Sequence, residues 1–248
     1  MKFKVYIPAR YASSRLPGKP LLTISGKTII QHVYENALSS GADEVIVATD
    51  DQRIADVALG FGAAVAMTTR THESGTDRVA EAVSNRDEAD DAIIVNVQGD
   101  EPQLPAGVIR QVADTLAASA AAQIATVCEP ILLDTEIDNP NIVKVVRTST
   151  QRAMYFSRSP IPCARDGRSD AQVTYYRHVG IYAYRASYLR RFVATPVAPI
   201  ERVERLEQLR ALVNDDVIVV ADAVAECGFG VDTNDDYEQL CKHWGRVQ

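Results

Sequence analysis

The fold of this chain is decided near its start, by the stretch KVYIPARYASSRLPGKPL at residues 4–21. A short apolar strand over residues 4–7 runs directly into a loop that carries three cations and no acidic residue. Open α/β sheets bind ligands at the carboxyl edge of their strands, where backbone N–H groups and fixed charges meet the ligand. The loop is therefore predicted to bind a polyphosphate through Arg10, Arg15 and Lys19. A solvated basic loop is the alternative, but two prolines and a glycine stiffen the segment, which favours a preorganised site.

Strand and helix patterns alternate through the rest of the first half, as is typical of a mostly parallel α/β sheet. Apolar stripes at helical spacing cover residues 29–38 and 54–61, and the crossovers between parallel strands are expected to be right-handed. After residue 130, alternating segments rich in aromatic residues favour antiparallel strands. We expect one domain over residues 1–248, with a main sheet from 1–130, a smaller antiparallel lobe at 131–200 and a return to the main sheet at 201–248. The predicted strands are Lys4–Ile7, Glu44–Ala48, Ala63–Met67, Ala92–Val97, Gln123–Val127, Ile142–Arg147, Ala153–Ser157, Tyr175–Arg185 and Val217–Ala221.

Composition excludes several classes of protein. With 248 residues and 46% hydrophobic content, the chain can bury a substantial core without disulfides. A net charge of −7 argues against nucleic acid or an anionic membrane as the main partner. The four cysteines are far apart and form no C-x-x-C pair, so neither a zinc site nor a disulfide framework is expected. Since the chain shows neither a leader pattern nor a membrane-length apolar run, we expect a soluble, cytoplasmic protein.

Two short motifs imitate nucleotide-binding signatures and fail on context. Gly26-Lys27-Thr28 is like the end of a Walker A motif, but Leu21 stands where that motif requires a glycine. The GFG sequence at 60–62 follows a predicted helix and precedes a predicted strand, which reverses the order that places a pyrophosphate on a helix N-terminus. Neither a P-loop protein nor a nicotinamide dehydrogenase is predicted.

Two aspartates are candidate metal ligands. Asp100 follows the predicted strand at 92–97, after Gly99, whose lack of a side chain permits close backbone approach. A strand-end aspartate often only holds a turn, but beside a phosphate site it suits Mg²⁺, which prefers one or two carboxylates completed by phosphate oxygens and water. Asp232 precedes Thr233, which could cap a helix together with Asp236. From the residues alone, Asp232 is either a turn residue or a second ligand.

Seven blocks in this order resemble the 3-deoxy-manno-octulosonate cytidylyltransferases, also called CMP-KDO synthetases, and more loosely the wider class of sugar nucleotidyltransferases. They span nearly the whole chain, so a chance match to all of them is improbable. The blocks are the loop at 8–21, SGTDR at 74–78, NVQGDEP at 96–102, YFSR at 155–158, RHVGIY at 177–182, LEQLR at 206–210 and GVDT at 230–233.

The resemblance implies a Rossmann-like sheet of the nucleotide-diphospho-sugar transferase type. It also implies transfer of CMP from CTP to 3-deoxy-D-manno-octulosonate (KDO), with release of pyrophosphate, for lipopolysaccharide biosynthesis. Mg²⁺ is the implied cofactor, held by Asp100 and Asp232. The portion 1–130 is expected to bind the nucleotide, and the lobe at 131–200 to bind the sugar and form a homodimer.

The resemblance further assigns roles to individual residues. A catalytic role falls to Arg10, Lys19, Asp100 and Asp232, and nucleotide binding to Arg10, Lys19, Ser74, Gly75, Thr76, Arg78 and Asp100. Sugar binding falls to Arg15, Gln98, Arg158, His178, Tyr182, Glu207 and Gln208.

Other readings of these residues remain open. The segment at 74–78 could simply cap a helix, His178 could be structural, and Glu207 and Gln208 could be solvated neighbours of an apolar stripe. The alternative functions are transfer to another acidic sugar, such as 8-amino-KDO or a sialic acid, and a catalytically silent nucleotide-binding protein.

Overall fold

A computed structural model describes residues 1–12, 16–70, 72, 74–165, 167–168 and 173–244. The predicted strands and helices are present, with ends that differ by a few residues. The strands are β1 (Lys4–Ala9), β2 (Thr23–Ile24), β3 (Lys27–Thr28), β4 (Glu44–Thr49), β5 (Ala64–Met67), β6 (Ile93–Asn96), β7 (Ile124–Pro130), β8 (Lys144–Arg147), β9 (Ala153–Ser157), β10 (Tyr176–Arg185) and β11 (Ile218–Asp222). The helices are α1 (Ile29–Ser39), α2 (Gln52–Gly60), α3 (Gly75–Asn85), α4 (Ala106–Ala118), α5 (Asp134–Ile137), α6 (Ala186–Ala194), α7 (Pro199–Glu204), α8 (Leu209–Val213) and α9 (Asn234–Trp244), with a 3₁₀ turn at Lys19–Leu21.

The expected mostly parallel α/β sheet is confirmed. Its main path runs β11-β7-β10-β6-β1-β4-β5, and β1 pairs in parallel with both β4 and β6. The central residues of β1, β4 and β6 are apolar and buried, as expected where helices cover both faces of a sheet. Side chains of α1, α2 and α4 form one buried cluster with the sheet, and those of α3, α6 and α8 form another on the opposite face. Strands β2 and β3 form a separate two-stranded sheet.

The antiparallel strands predicted after residue 130 are also present, and the longest of them enters the main sheet. Ala183 of β10 pairs with Val95 of β6 on one side and with Ala125 of β7 on the other, antiparallel to both. The second half of β10 can lie between two buried strands because Ile181, Ala183 and Tyr184 are themselves apolar and buried. Its first half pairs with β8, which pairs with β9.

Parallel strands β1 and β6 end at the same edge of the sheet, so the loops that follow them meet there. These are the loops that carry the cations and Asp100. Among the residues that the structure describes, no helix is both long enough and apolar enough to cross a membrane.

Candidate active site

The cationic loop after β1 is closed by a glycine turn. Gly18 adopts φ of 70°, a left-handed conformation that favours glycine, and its N–H donates to the carbonyl oxygen of Tyr11 at 3.0 Å. A Cβ atom at position 18 would lie 3.2 Å from the Tyr11 ring. The turn directs Lys19 into the 3₁₀ helix and toward the end of β6. Arg10 lies in the same loop, whereas Arg15 falls outside the described residues.

Lys19 joins the two predicted metal ligands. Its Nζ lies 2.6 Å from Oδ2 of Asp100 and 3.1 Å from Oδ1 of Asp232. Two aspartates that are far apart in sequence therefore contact the same positive charge, which belongs to the cationic loop.

Backbone contacts bring the two aspartates together. Gly99 lies so close to the first strand that a Cβ atom there would be 2.7 Å from the carbonyl oxygen of Pro8. The N–H of Val231 donates to the carbonyl oxygen of Asp100 at 2.8 Å. The residue after Val231 is Asp232, so this hydrogen bond helps to place the carboxylate of Asp232 beside that of Asp100.

The start of α9 is capped by its own residues. Oδ2 of Asp236 accepts from the N–H of Thr233 at 2.8 Å and from that of Asp232 at 3.0 Å. Thr233 Oγ1 in turn accepts from the N–H of Asp236 at 3.2 Å. The predicted Thr233/Asp236 cap is present, and the carboxylate of Asp232 points instead toward Lys19.

The donor set fits a divalent cation that also binds phosphate. Within the described parts of the chain, no group of three or more His, Cys, Asp or Glu side chains could hold a metal ion. Mg²⁺ commonly takes only one or two carboxylates and completes its shell with phosphate oxygens and water. Desolvation, followed by the negative charges of Asp100 and Asp232, raises the pKa of neighbouring Glu101 to about 8. Burial is the larger cause of this pKa shift, and the two aspartates add to it.

Most of the predicted nucleotide-binding residues line one cleft at this sheet edge. The cleft has a volume of about 230 Å³. Its lining includes Arg10, Lys19, Ser74, Gly75, Arg78, Gln98, Asp100 and Asp232 among the predicted residues, together with Pro8, Ala9, Pro20, His72 and Gly99.

The segment at 74–78 caps α3 and also lines the cleft. Ser74 Oγ accepts from the N–H of Asp77 at 3.1 Å, so the helix-capping reading of this segment is correct as far as Ser74 is concerned. Gly75 packs tightly, since a Cβ atom there would be 3.1 Å from both Pro8 Cγ and Gln98 Oε1. Thr76 is buried. Arg78 is buried as well, and its Nη1 donates to Thr68 Oγ1 and lies 3.4 Å from Oδ1 of Asp50.

Two of the predicted sugar-binding residues, Arg158 and His178, are held by other parts of the fold. Arg158 donates to the carbonyl oxygens of Glu204 at 2.7 Å and Pro140 at 2.9 Å. His178 Nε2 lies 3.0 Å from Thr126 Oγ1, and its ring packs between Phe156 and Tyr182. Desolvation lowers the pKa of His178 to about 3, so its imidazole is neutral near pH 7.

Glu207 and Gln208 lie beside the segment at 74–78. Oε2 of Glu207 accepts from Thr76 Oγ1 at 2.9 Å, and Oε1 accepts from Ser74 Oγ at 3.4 Å. Desolvation raises the pKa of Glu207 to about 7. Gln208 is buried, and its Nε2 has no hydrogen-bond partner among the described residues. Glu207 is therefore a partner of the nucleotide-side segment rather than a solvated surface residue.

His72 lines the cleft although sequence reasoning did not select it. Its Nε2 contacts a carboxylate oxygen of Glu81 and lies 3.3 Å from Thr69 Oγ1. Glu81 lies on α3, nine residues further along the chain. A lone histidine in a polar loop carries no pattern that would predict this pairing.

Known proteins that are similar to this chain are cytidylyltransferases. The family model for cytidylyltransferases matches residues 5–218. The 3-deoxy-manno-octulosonate cytidylyltransferases of Nitrosococcus oceani and Cellvibrio japonicus are each 52% identical to this chain over 247 residues. The alignments cover 97% of this chain in both cases, and 95% and 97% of the respective relatives.

Solved structures give the same result. CMP:2-keto-3-deoxy-manno-octonic acid synthetase complexed with CTP superposes with a TM-score of 0.92 at 43% identity, covering 100% of both chains. A cytidylyltransferase from Leptospira borgpetersenii shares the fold at 20% identity, with a TM-score of 0.64 over 99% of this chain and 87% of that one. On the family model and on relatives that match over almost their full length, this chain belongs to the 3-deoxy-manno-octulosonate cytidylyltransferase family.

Proposed function

We propose that this protein transfers CMP from CTP to KDO and releases pyrophosphate, as a step of lipopolysaccharide biosynthesis. The observation that carries the proposal is the Lys19 ammonium between the carboxylates of Asp100 and Asp232, in the cleft lined by Ser74 and Gly75. The names of its relatives support KDO as the acceptor, and the CTP complex of the superposed synthetase supports CTP as the donor.

The reaction needs positioning and charge neutralisation more than covalent help from the protein. In our proposal the anomeric 2-hydroxyl of KDO attacks the α-phosphate of CTP in line, and pyrophosphate leaves. Arg10 and Lys19, which line the cleft, stabilise the charge that develops on the departing pyrophosphate. The segment at 74–78 binds the cytidine, and Arg78 lines the cleft on that side.

We propose that Asp100 and Asp232 hold Mg²⁺. When bound, the ion supplies charge neutralisation at the phosphates and lowers the pKa of the attacking hydroxyl. The carboxylates orient that charge, and Lys19 is then available to donate to phosphate oxygens. His178 does not fit the role of general base, because a pKa of about 3 makes its imidazole a weak base at neutral pH.

Gln98 and Glu207 are our strongest candidates for sugar recognition, since Gln98 lines the cleft and Glu207 contacts the segment beside it. We assign Tyr182 and Gln208 to the sugar site as well. Arg158 and His178 contribute to it indirectly, because their hydrogen bonds to Glu204 and Thr126 hold them outside the lining of the cleft.

We further propose a homodimer that pairs through residues 131–200 and works in the cytoplasm, which supplies CTP. Exposed apolar side chains in this portion support the pairing, and burial of such side chains is what favours association. Light scattering on the purified protein tests the dimer, and cell fractionation tests the compartment. The exposed side chains are Leu132, Leu133, Met154 and Val173.

Release of pyrophosphate tests the activity directly. Each of the four nucleoside triphosphates is offered with KDO, 8-amino-KDO or sialic acid, with and without Mg²⁺. The proposal expects release with CTP and KDO that depends on Mg²⁺. A preference for 8-amino-KDO or sialic acid would show that the acceptor sugar is not KDO. No release of pyrophosphate with any pair would favour a catalytically silent nucleotide-binding protein.

Asp100→Asn tests the metal site within this activity. Removal of one catalytic electrostatic group typically costs about 10² in turnover or more, so turnover should fall by at least ~10². Near-normal turnover in this variant would reject Asp100 as a ligand.

A further inference from the structure

Arg53, near the start of α2, is fixed by the aspartate that caps this helix. Its Nε and Nη2 atoms donate to Oδ1 and Oδ2 of Asp51 at 2.9 and 2.7 Å. The backbone N–H of Arg53 also donates to Asp51 Oδ1, at 3.0 Å. A bidentate pair of this kind fixes the plane of the guanidinium as well as its position.

The fixed guanidinium lies on the ring of Tyr11, in the cationic loop after β1. The Arg53 Cζ atom is 3.3 Å from the ring centroid. A cation is attracted to an aromatic face within about 6 Å of the centroid, so this contact is favourable. It links α2 to the cationic loop.

Tyr11 in turn holds the glycine turn that precedes Lys19. Its carbonyl oxygen accepts from the N–H of Gly18 at 3.0 Å. Its ring lies against the same residue, since a Cβ atom at position 18 would be 3.2 Å from Cε2, Cζ and Oη of Tyr11. Gly18 is followed directly by Lys19, whose ammonium contacts the two carboxylates of the cleft. A continuous set of contacts therefore leads from Arg53 to Lys19.

We propose that Arg53 is a positioning residue that holds the cationic loop, through Tyr11, in the form that directs Lys19 into the cleft. Neither Arg53 nor Tyr11 is among the described residues that line the cleft, so Arg53 acts on the loop rather than on the substrate. Without the guanidinium, the Tyr11 ring loses its stacking partner and the Gly18 turn is less constrained. Binding of a triphosphate by Lys19 then costs more ordering entropy. That the triphosphate is CTP rests on the proposed function.

Amide hydrogen exchange on the nucleotide-free, full-length protein tests this role without any reaction. The N–H of Gly18 reports the turn, because it is hydrogen-bonded to Tyr11. A cation on an exposed aromatic face typically stabilises a contact about two- to fivefold, so Gly18 exchange should be faster by that factor in Arg53→Ala. The cap of α2 survives this substitution because it uses the backbone N–H. Unchanged Gly18 exchange in Arg53→Ala would overturn the proposal.

Arg191→Ala is the matched control. Arg191 also lies on a tyrosine, with its Cζ 4.9 Å from the ring centroid of Tyr188, and it pairs with Asp216 at 2.7 Å. Its side chain is 61% exposed, against 58% for Arg53, and it is not among the described residues that line the cleft. Gly18 exchange should match the wild type in this variant. Equal acceleration in both variants would indicate a general loss of stability and would overturn the proposal.

A double-mutant cycle tests whether Arg53 acts through the Tyr11 ring. In Tyr11→Leu the ring is removed, so the addition of Arg53→Ala should not accelerate Gly18 exchange further. In Tyr11→Phe the ring remains, so Arg53→Ala should still accelerate it. A full additional effect of Arg53→Ala in the Tyr11→Leu background would overturn the assignment to the ring.

Kinetics test the consequence for Lys19. Arg53→Ala should lower kcat/KM for CTP about two- to fivefold, and Arg53→Lys, which keeps a cation for the ring, should lower it less. Arg191→Ala should retain the wild-type value. A wild-type kcat/KM in Arg53→Ala, together with faster Gly18 exchange, would overturn the link to Lys19. If the wild type released no pyrophosphate with any substrate pair, the proposed function would fail, whereas the exchange measurements would still decide the role of Arg53.

Discussion

Lys19→Gln should change metal binding and nucleotide use in opposite directions. In the protein without ligands, the Lys19 ammonium occupies the position between Asp100 and Asp232, at 2.6 and 3.1 Å. A divalent cation held by the same carboxylates must displace it. Glutamine keeps most of the length of lysine and removes its charge, so the carboxylates lose the competitor while the phosphates of CTP lose a donor.

The structure sets the size of the effect. The side chains of Lys19, Asp100 and Asp232 are 11%, 31% and 46% exposed, so solvent screens both ion pairs. Pairs of this kind contribute about 0.2–1 kcal/mol each. Two of them together approach 1.4 kcal/mol, which corresponds to about a tenfold change in affinity. We therefore expect Lys19→Gln to bind a divalent cation about tenfold more tightly in the absence of nucleotide, and to use CTP with a lower kcat/KM.

Electron paramagnetic resonance measures the first quantity, by titration of Mn²⁺ into nucleotide-free protein at fixed ionic strength. Lys27→Gln is the matched control, because Lys27 pairs with Glu35 at 2.7 Å on the surface and outside the cleft. This control should leave Mn²⁺ affinity unchanged. Equal or weaker Mn²⁺ binding in Lys19→Gln would show that the two carboxylates do not form the cation site.

Three further predictions concern stability. Gly99→Ala should cost about 1–3 kcal/mol, because its Cβ would lie 2.7 Å from the carbonyl oxygen of Pro8; an unchanged urea midpoint would contradict this. Arg210→Met should cost about 3–5 kcal/mol, since it strands Glu201 in a pair whose side chains are 7% and 8% exposed, and adding Glu201→Met should restore part of the loss in the same denaturation assay. Glu207 has a folded-state pKa raised to about 7, so its protonated form favours folding and this contribution is lost as pH rises from about 4.5 through 7. The Tm of Glu207→Gln relative to wild type should therefore increase from pH 5 to pH 8 in calorimetry, and a constant difference would refute the shift.

Local sequence was sufficient to predict the elements that build the sheet edge. Strand β1 and its loop were recognisable because a short apolar run, prolines and a glycine act on the chain nearby. Asp100 could be placed at the same edge because parallel strands end together. For Asp232 the residues alone left a turn role open, and the resemblance selected the metal; the structure adds that Thr233 and Asp236 make the cap.

Contacts between distant segments could not be predicted in the same way. Thr76 and Glu207 are 131 residues apart, and nothing near either residue specifies the other. The insertion of β10 between β6 and β7 depends on which buried strands pack together, a choice made by the whole core rather than by the alternation of residues in β10. Sequence patterns therefore gave the type of each element, whereas long-range packing set the order of the strands and the partners of the buried polar groups.

The position of Asp232 is determined by anchors along the loop that carries it. Glu129 on β7 accepts from the N–H of Cys227 at 2.6 Å, and Gln103 accepts from the N–H of Phe229 at 3.2 Å. The hydrogen bond from Val231 to Asp100 follows at 2.8 Å. Contacts at alternate residues thus tie this loop to β7 and to the segment after β6 before the chain reaches the cleft. A carboxylate at the end of such a loop is held in place before a cation arrives, which lowers the entropy that binding must overcome. The aspartate that local sequence left ambiguous is therefore positioned by backbone contacts that no motif records.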